Sequence, residues 1–173
     1  MKFLHTSDWH VGKTLKGRPR LEEQKKVLAE IVGHARANDV DAVVIAGDIY
    51  DAAAQTPDAQ RLVNRTLLEL AKDHIEVVAI AGNHDSGPTF EAYRPLMQVA
   101  GIHLYGQARS VDKNGVYSFT ARTTGEPVNV AIVPFLSQRY AIRAAQLIAP
   151  GDNVPARNVG TYDQWVRNIV ENL

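Results

Sequence analysis

Three short clusters in this 173-residue chain carry side chains suited to holding cations: Asp8-Trp9-His10, Gly47-Asp48 and Gly82-Asn83-His84-Asp85. Asp8 and His10 lie two apart, so in extended backbone they project to one side and can grip a single ion. Asp48 suits the place between two ions, because one carboxylate can put an oxygen on each, and two-metal sites need a spacing of about 3.5–4 Å. Asn83 offers an amide oxygen to the second ion. His84 points elsewhere and fits a proton donor to a departing oxygen, or a phosphate contact, better than a ligand, with Asp85 placed to orient it. Oxygen and imidazole donors without sulfur favour manganese, iron or zinc over calcium. Two such cations on a phosphoester would acidify a water, neutralise phosphoryl oxygens and stabilise a trigonal-bipyramidal transition state.

Taken singly, an Asp-x-His is ordinarily a hydrogen-bonded loop end, and Gly-Asp or Gly-Asn-His-Asp a turn. Their order changes that balance. Each cluster directly follows an apolar, β-branched run, Lys2 to Thr6, Ala42 to Ala46 and Val77 to Ala81, and the segments between read as helices. Leu21 to Asn38 spaces Val27, Leu28, Ile31, Val32 and Ala35 along one face, with Glu22 and Glu23 in its first turn. Thr56-Pro57-Asp58 supplies a cap, a proline at the first helical position and an acid beside the dipole, opening a helix to about Asp73 with Leu62, Val63, Leu67 and Leu70 inward. Phe90 to Val99 reads as a helix interrupted by Pro95. This βαβαβα alternation predicts right-handed crossovers and a parallel sheet covered on both faces, with ligands at the carboxyl ends of its strands.

After residue 100 the texture changes. Ile102 to Tyr105, Gly115 to Ala121 and Val128 to Pro134 read as hairpin-linked strands added to the sheet. Gln138 to Ile148 reads as a helix, Ala149 to Gly160 as an exposed loop, and Thr161-x-x-Gln164 as a capping box for a last helix that carries Trp165, Ile169 and Val170.

Composition narrows the function classes. With 45% hydrophobic residues the chain can bury one sizeable core, and a second domain is not expected. Zero cysteines exclude disulfides, zinc-thiolate sites and thiol catalysis and suit a reducing cytoplasm. Lys+Arg and Asp+Glu balance at 19 each, so no global polycation draws the chain to nucleic acid. No apolar run is long enough for a membrane span.

With their flanks, the clusters read His5-Thr6-Ser7-Asp8-Trp9-His10-Val11-Gly12, Ala46-Gly47-Asp48-Ile49-Tyr50-Asp51 and Ala81-Gly82-Asn83-His84-Asp85-Ser86. In these motifs the chain resembles the calcineurin-like metallophosphoesterases, and within them the bacterial SbcD-type DNA nuclease subunits that partner an SbcC-type ATPase. The resemblance runs through Pro134-Phe135. It implies a layered α/β sandwich, here the N-terminal βαβαβα part followed by further strands. It also implies a manganese-dependent nuclease of DNA recombination, replication and repair, with double-strand 3′ to 5′ exonuclease and single-strand endonuclease activity and hairpin opening, working as a nuclease dimer in a complex at the nucleoid. Residues matching Asp8, His10 and Asp48 would bind one metal, those matching Asp48 and Asn83 the other, and the match to His84 would assist catalysis. The family completes its site with a later histidine and a Gly-His-x-His motif, whereas the last histidine here is His103. The expectation is therefore the N-terminal part of such a domain.

Lys13, Lys16, Arg18 and Arg20 follow the first cluster without an intervening acid and could grip phosphates, or form an ordinary solvated loop. Arg139, Tyr140 and Arg143 admit the same two readings. Trp9 is expected to pack beneath the site rather than stack on a base. His34 and His74, late in helices, are expected to serve packing or the helix dipole, and His5 and His103 lie in strands, with none of the four expected as a ligand. Two other functions use the same residues: a phosphatase or phosphodiesterase of small substrates, and a non-catalytic module with an incomplete site.

Overall fold

The computed structural model describes residues 1–137 and 162–171. Four strands form its parallel sheet: β1 (Phe3–Thr6), β4 (Ala42–Ala46), β5 (Glu76–Ile80) and β6 (Ile102–Tyr105), in the spatial order β1-β4-β5-β6. A two-stranded hairpin of β2 (Thr14–Leu15) and β3 (Arg18–Pro19) interrupts the first connection. Helices α1 (Leu21–Ala37), α2 (Pro57–Ala71) and α3 (Gly87–Gln98) link successive strands of the sheet. A second antiparallel pair, β7 (Val116–Thr120) and β8 (Pro127–Ala131), follows, and α4 (Tyr162–Glu171) comes last.

Local chemistry sets the helix starts. Thr56 accepts a hydrogen bond from the Ala59 amide at 3.3 Å and Pro57 occupies the first turn of α2, as the sequence predicts. Helix α3 begins three residues before the expected Phe90, because Ser86 caps it through the Thr89 amide at 3.3 Å and Pro88 lies in its first turn. It runs through Pro95.

The sheet order corrects the expected two-sided helical cover. The strands are added in one direction without reversal, so right-handed crossovers place all three helices on the same face. Val43, Ile45, Val77, Ala79, Ile102 and Leu104 accordingly share one core with Leu28, Val32 and Ala35 of α1, Val63, Leu67 and Leu70 of α2, and Phe90 and Met97 of α3. Over β5 and β6 the other face is covered by Tyr117 of β7, Val130 of β8 and Ile132, which pack on Val78, Ile80 and Tyr105. Toward β1 it is open among the described residues, where Phe3 is 59% exposed.

The strands after residue 100 also differ from expectation. Ile102–Tyr105 pairs parallel with β5 and completes the α/β series, while β7 and β8 pair only with each other. Val27, expected inside, is 54% exposed; in α4 Ile169 is fully buried and Val170 is 55% exposed. The readings of 138–148 as a helix, 149–160 as a loop, Thr161 as a cap and Arg139, Tyr140 and Arg143 as DNA-facing all lie outside the described residues.

Candidate metal centre

The three clusters meet at the carboxyl end of the sheet. Past Thr6 the chain stays registered against the loop after β4: the amides of Asp8, His10 and Val11 donate to the carbonyls of Gly47, Asp48 and Ile49 at 3.1, 3.0 and 2.9 Å. The extended geometry anticipated for Asp8-x-His10 is replaced by left-handed backbone, with φ of 56° at Asp8, 44° at His10 and 51° at Asp48. Non-glycine residues in that region cost on the order of 1–3 kcal/mol each and persist where the surroundings over-determine them.

Two glycines allow the loops to close. A Cβ on Gly47, whose φ is 91°, would stand 2.9 Å from the Gly82 Cα, and one on Gly82 would stand 2.1 Å from Asp48 Oδ1 and 2.3 Å from the Asp48 nitrogen. The second and third clusters are thus in backbone contact.

This packing brings Asp8, His10 and Asp48 together, with one candidate ligand atom from each within 4.8 Å of the others. Asp8 Oδ1 lies 3.7 Å from His10 Nε2, and Ser7 Oγ donates to the other Asp8 oxygen at 2.5 Å. Asp48 Oδ1 accepts the His84 amide at 3.0 Å. His10, Asp51 and His84 satisfy the same proximity, the two imidazoles meeting edge to face with centroids 4.8 Å apart. His10 Nδ1 is buried without a hydrogen bond, 3.5 Å from Asp51 Oδ1. Converging carboxylates and imidazoles with an unsatisfied buried ring nitrogen fit a divalent cation. Asn83 is exposed beside this group, and its side chain makes no hydrogen bond among the described residues.

The arrangement separates His84 from Asp85. Asp85 is buried, and its carboxylate accepts the amides of Gly82, Tyr50 and Ile49 at 2.8, 2.9 and 3.2 Å. Burial pushes its pKa above the ordinary 3.8, with the Asp48 charge adding to that rise and the three amides opposing it. Asp85 therefore ties the loops after β4 and β5 together, and the expected bond to His84 is replaced: His84 Nδ1 lies 2.8 Å from the Asp51 carbonyl oxygen. A carbonyl only accepts, so Nδ1 must carry hydrogen there.

Asp51 is the residue that sequence reasoning missed. Its signal was the Asp48-x-x-Asp51 spacing in the loop after β4, where a turn can bring two carboxylates to one side.

The basic segment is a β2–β3 hairpin, turning through Lys16 and Gly17 at φ 50° and 76°. Lys13 Nζ stands 3.8 Å from Asp51 Oδ1, and Arg20 is bound to Glu23 at 2.6 Å. Lys16 and Arg18 have no ion pair among the described residues. Trp9 packs against the main core and donates to Thr6 Oγ1 at 2.9 Å. His103 is remote in role, lying 2.8 Å from the Tyr117 hydroxyl and 3.4 Å from Glu76. No helix among the described residues is long and apolar enough to cross a membrane.

Comparison with known proteins gives the same assignment as the motifs. A family model described as calcineurin-like phosphoesterase matches residues 1–168. A Bacillus subtilis protein named as a subunit of the nuclease SbcCD is 43% identical over 107 residues, 61% of this chain and 27% of that protein. The Escherichia coli K12 protein of the same name is 36% identical over 143 residues, 82% of this chain and 34% of that protein. The chain thus spans about a third of the length of these relatives. With the family match covering nearly every residue and its three motifs meeting at one sheet edge, the chain belongs to the calcineurin-like phosphoesterase family.

Proposed function

We propose that this chain forms the cation-binding part of a DNA nuclease that hydrolyses phosphodiesters with two divalent cations, manganese first among them. Its cellular setting in this reading is a bacterial cytoplasmic complex at the nucleoid, containing a nuclease dimer and an SbcC-type ATPase. Exonuclease action on duplex ends and endonuclease action on single strands and hairpins belong to the same reading. The observation that carries it is the meeting of Asp8, His10 and Asp48 within 4.8 Å, in a chain 36–43% identical to nuclease subunits over the matched residues.

Asp8, His10, Asp48 and Asn83 would hold the cations. Bound there, divalent cations acidify a water and neutralise charge on the phosphoryl oxygens. Asp48 is fixed by the Gly47–Gly82 contact and the His84 amide, so its carboxylate is set before any ion arrives. The Asp51 carbonyl aims the His84 ring, and His84 Nε2 gives its proton to the departing 3′ or 5′ oxygen. Lys16 and Arg18 meet backbone phosphates, which adds affinity without reading sequence.

Two measurements test this. Calorimetric titration with manganese should show about two equivalents bound, most affinity being lost in Asp48→Ala. Incubation with duplex, hairpin and small phosphoester substrates should show DNA cleavage, which His84→Gln lowers by about 10²–10⁴-fold while manganese still binds. DNA left intact while a small phosphoester turns over would reject the nuclease reading. One weakly held cation and no turnover would reject an active site in this chain.

A further inference from the structure

We infer that the cavity beside Asn83 is a nucleoside pocket holding one unstacked nucleotide of the strand being cut. The inference rests on the nuclease reading above and names the part of the substrate that reading leaves open. The cavity measures about 700 Å³ and runs from Gly82 and Asn83 across the start of α3 to the loop bearing Arg109 and Lys113. That is the scale of sites that enclose small molecules, roughly 300–1,000 Å³, and so of one nucleotide rather than a stretch of duplex.

Its walls carry what a nucleotide needs. Phe135 lines the cavity with its side chain half exposed, and its backbone amide is clipped to the Ala81 carbonyl at 2.9 Å, next to the candidate ligand loop. An exposed ring at that wall can stack on a base, and such stacking contributes about 1–3 kcal/mol. Lys113 lines the same space without an ion pair among the described residues, so its ammonium is available to a phosphate. Arg109 is held by Glu91, while its Nε stays buried without a partner. The floor is formed in advance: a Cβ on Gly87 would stand 2.5 Å from the Gly106 oxygen, and one on Gly106 2.1 Å from the Gly87 oxygen. Glu91 also accepts the Gly106 amide at 2.9 Å, tying that loop to α3. Since the pocket takes a single base, unpaired ends and hairpin loops enter it more readily than stacked duplex.

The test is equilibrium binding rather than turnover. Deoxyadenosine 5′-monophosphate and deoxyribose 5-phosphate are titrated calorimetrically into the 173-residue chain with magnesium present. The nucleotide should bind more tightly than the sugar phosphate. Phe135→Ala should weaken nucleotide binding by about 5- to 150-fold and leave the sugar phosphate unaffected. Phe135→Trp should restore the preference, which separates stacking from misfolding, and Lys113→Gln should weaken both ligands. Equal binding of the two ligands by the wild type, no binding of either, or a preference that survives Phe135→Ala would overturn the pocket. DNA left uncut with base-dependent binding intact would reject only the nuclease reading. DNA cut with a preference insensitive to Phe135→Ala would reject only the pocket.

Discussion

Replacing Gly82 by alanine probes the contact that sets the candidate metal centre. The backbone at Gly82 does not require glycine through its φ, so the substitution acts through space alone. The new methyl would fall 2.1 Å from Asp48 Oδ1 and 2.3 Å from the Asp48 backbone nitrogen, against ordinary contact beginning at 3.4 Å. The carboxylate can swing aside, but the nitrogen cannot, so the two ligand loops must separate by roughly 1 Å, a displacement that elsewhere costs about 10²-fold in rate. Overpacking of this kind costs about 1–3 kcal/mol of stability. The swing also abandons the His84 amide that Asp48 Oδ1 accepts. Disturbing the support of a ligand typically weakens metal affinity by about 10–100-fold, which is the expected result for manganese measured by calorimetry. Gly33→Ala serves as the control: nothing lies within 4 Å of its added carbon, inside α1. It should raise stability by about 0.5–1 kcal/mol and leave manganese binding unchanged. A folded Gly82→Ala chain with wild-type manganese affinity would refute the idea that this contact positions Asp48.

Asp85→Ala removes the acceptor of three amides and should destabilise the chain by about 2–4 kcal/mol in urea denaturation, because buried donors are left unpaired. A loss below about 0.5 kcal/mol would mean those amides find other partners. Acid should loosen the β7–β8 hairpin. The His103 interaction and the Tyr117 hydroxyl hold Glu76 below its ordinary 4.5 against the effect of burial; for Asp41, burial acts upward but the Lys2 and Thr123 amides and the Thr123 hydroxyl prevail. Depressed carboxylates contribute stability above their unfolded pKa and lose it as pH falls through the folded value, so the melting temperature should drop below about pH 4.5. Glu76→Gln should flatten that drop; an unchanged profile would exclude Glu76 as a source. On the basic hairpin, Lys16→Gln with Arg18→Gln should reduce the slope of log affinity for DNA against log salt by about 1.8, and an unaltered slope would exclude both from phosphate contact.

The elements that follow one periodic rule were legible in the sequence. Helices α1 and α2 and the parallel strands were read from apolar spacing and capping residues, and the meeting of the three clusters at one sheet edge from their place after each strand. Pairing of the later strands was not, because alternation marks a strand without naming its neighbour: Ile102–Tyr105 joined β5, and Val116–Thr120 did not. Val27 shows the limit of the helical pattern, since an apolar face wider than the core contact leaves its margin in water. The division of labour between His84, Asp85 and Asp51 was hidden for another reason. It depends on which way a tight turn aims adjacent side chains, and only the three amides around Asp85 and the Asp51 carbonyl beside His84 decide that. Lys13 and Arg20 read as free cations because their partners, Asp51 and Glu23, are brought to them by folding.

The uninterrupted order β1-β4-β5-β6 bears on how the chain is made. Each new strand docks beside the one synthesised just before it, so loops close locally and the entropy of long-range closure stays small. The side chains proposed to hold the cations therefore appear in sequence, Asp8 and His10 with the first strand, Asp48 with the second and Asn83 with the third. A ribosome that has released those three strands and the loops after them has already released all four proposed ligands. A cation captured at that moment would act as a clasp on the growing sheet, making metal supply a factor in folding yield as well as in catalysis.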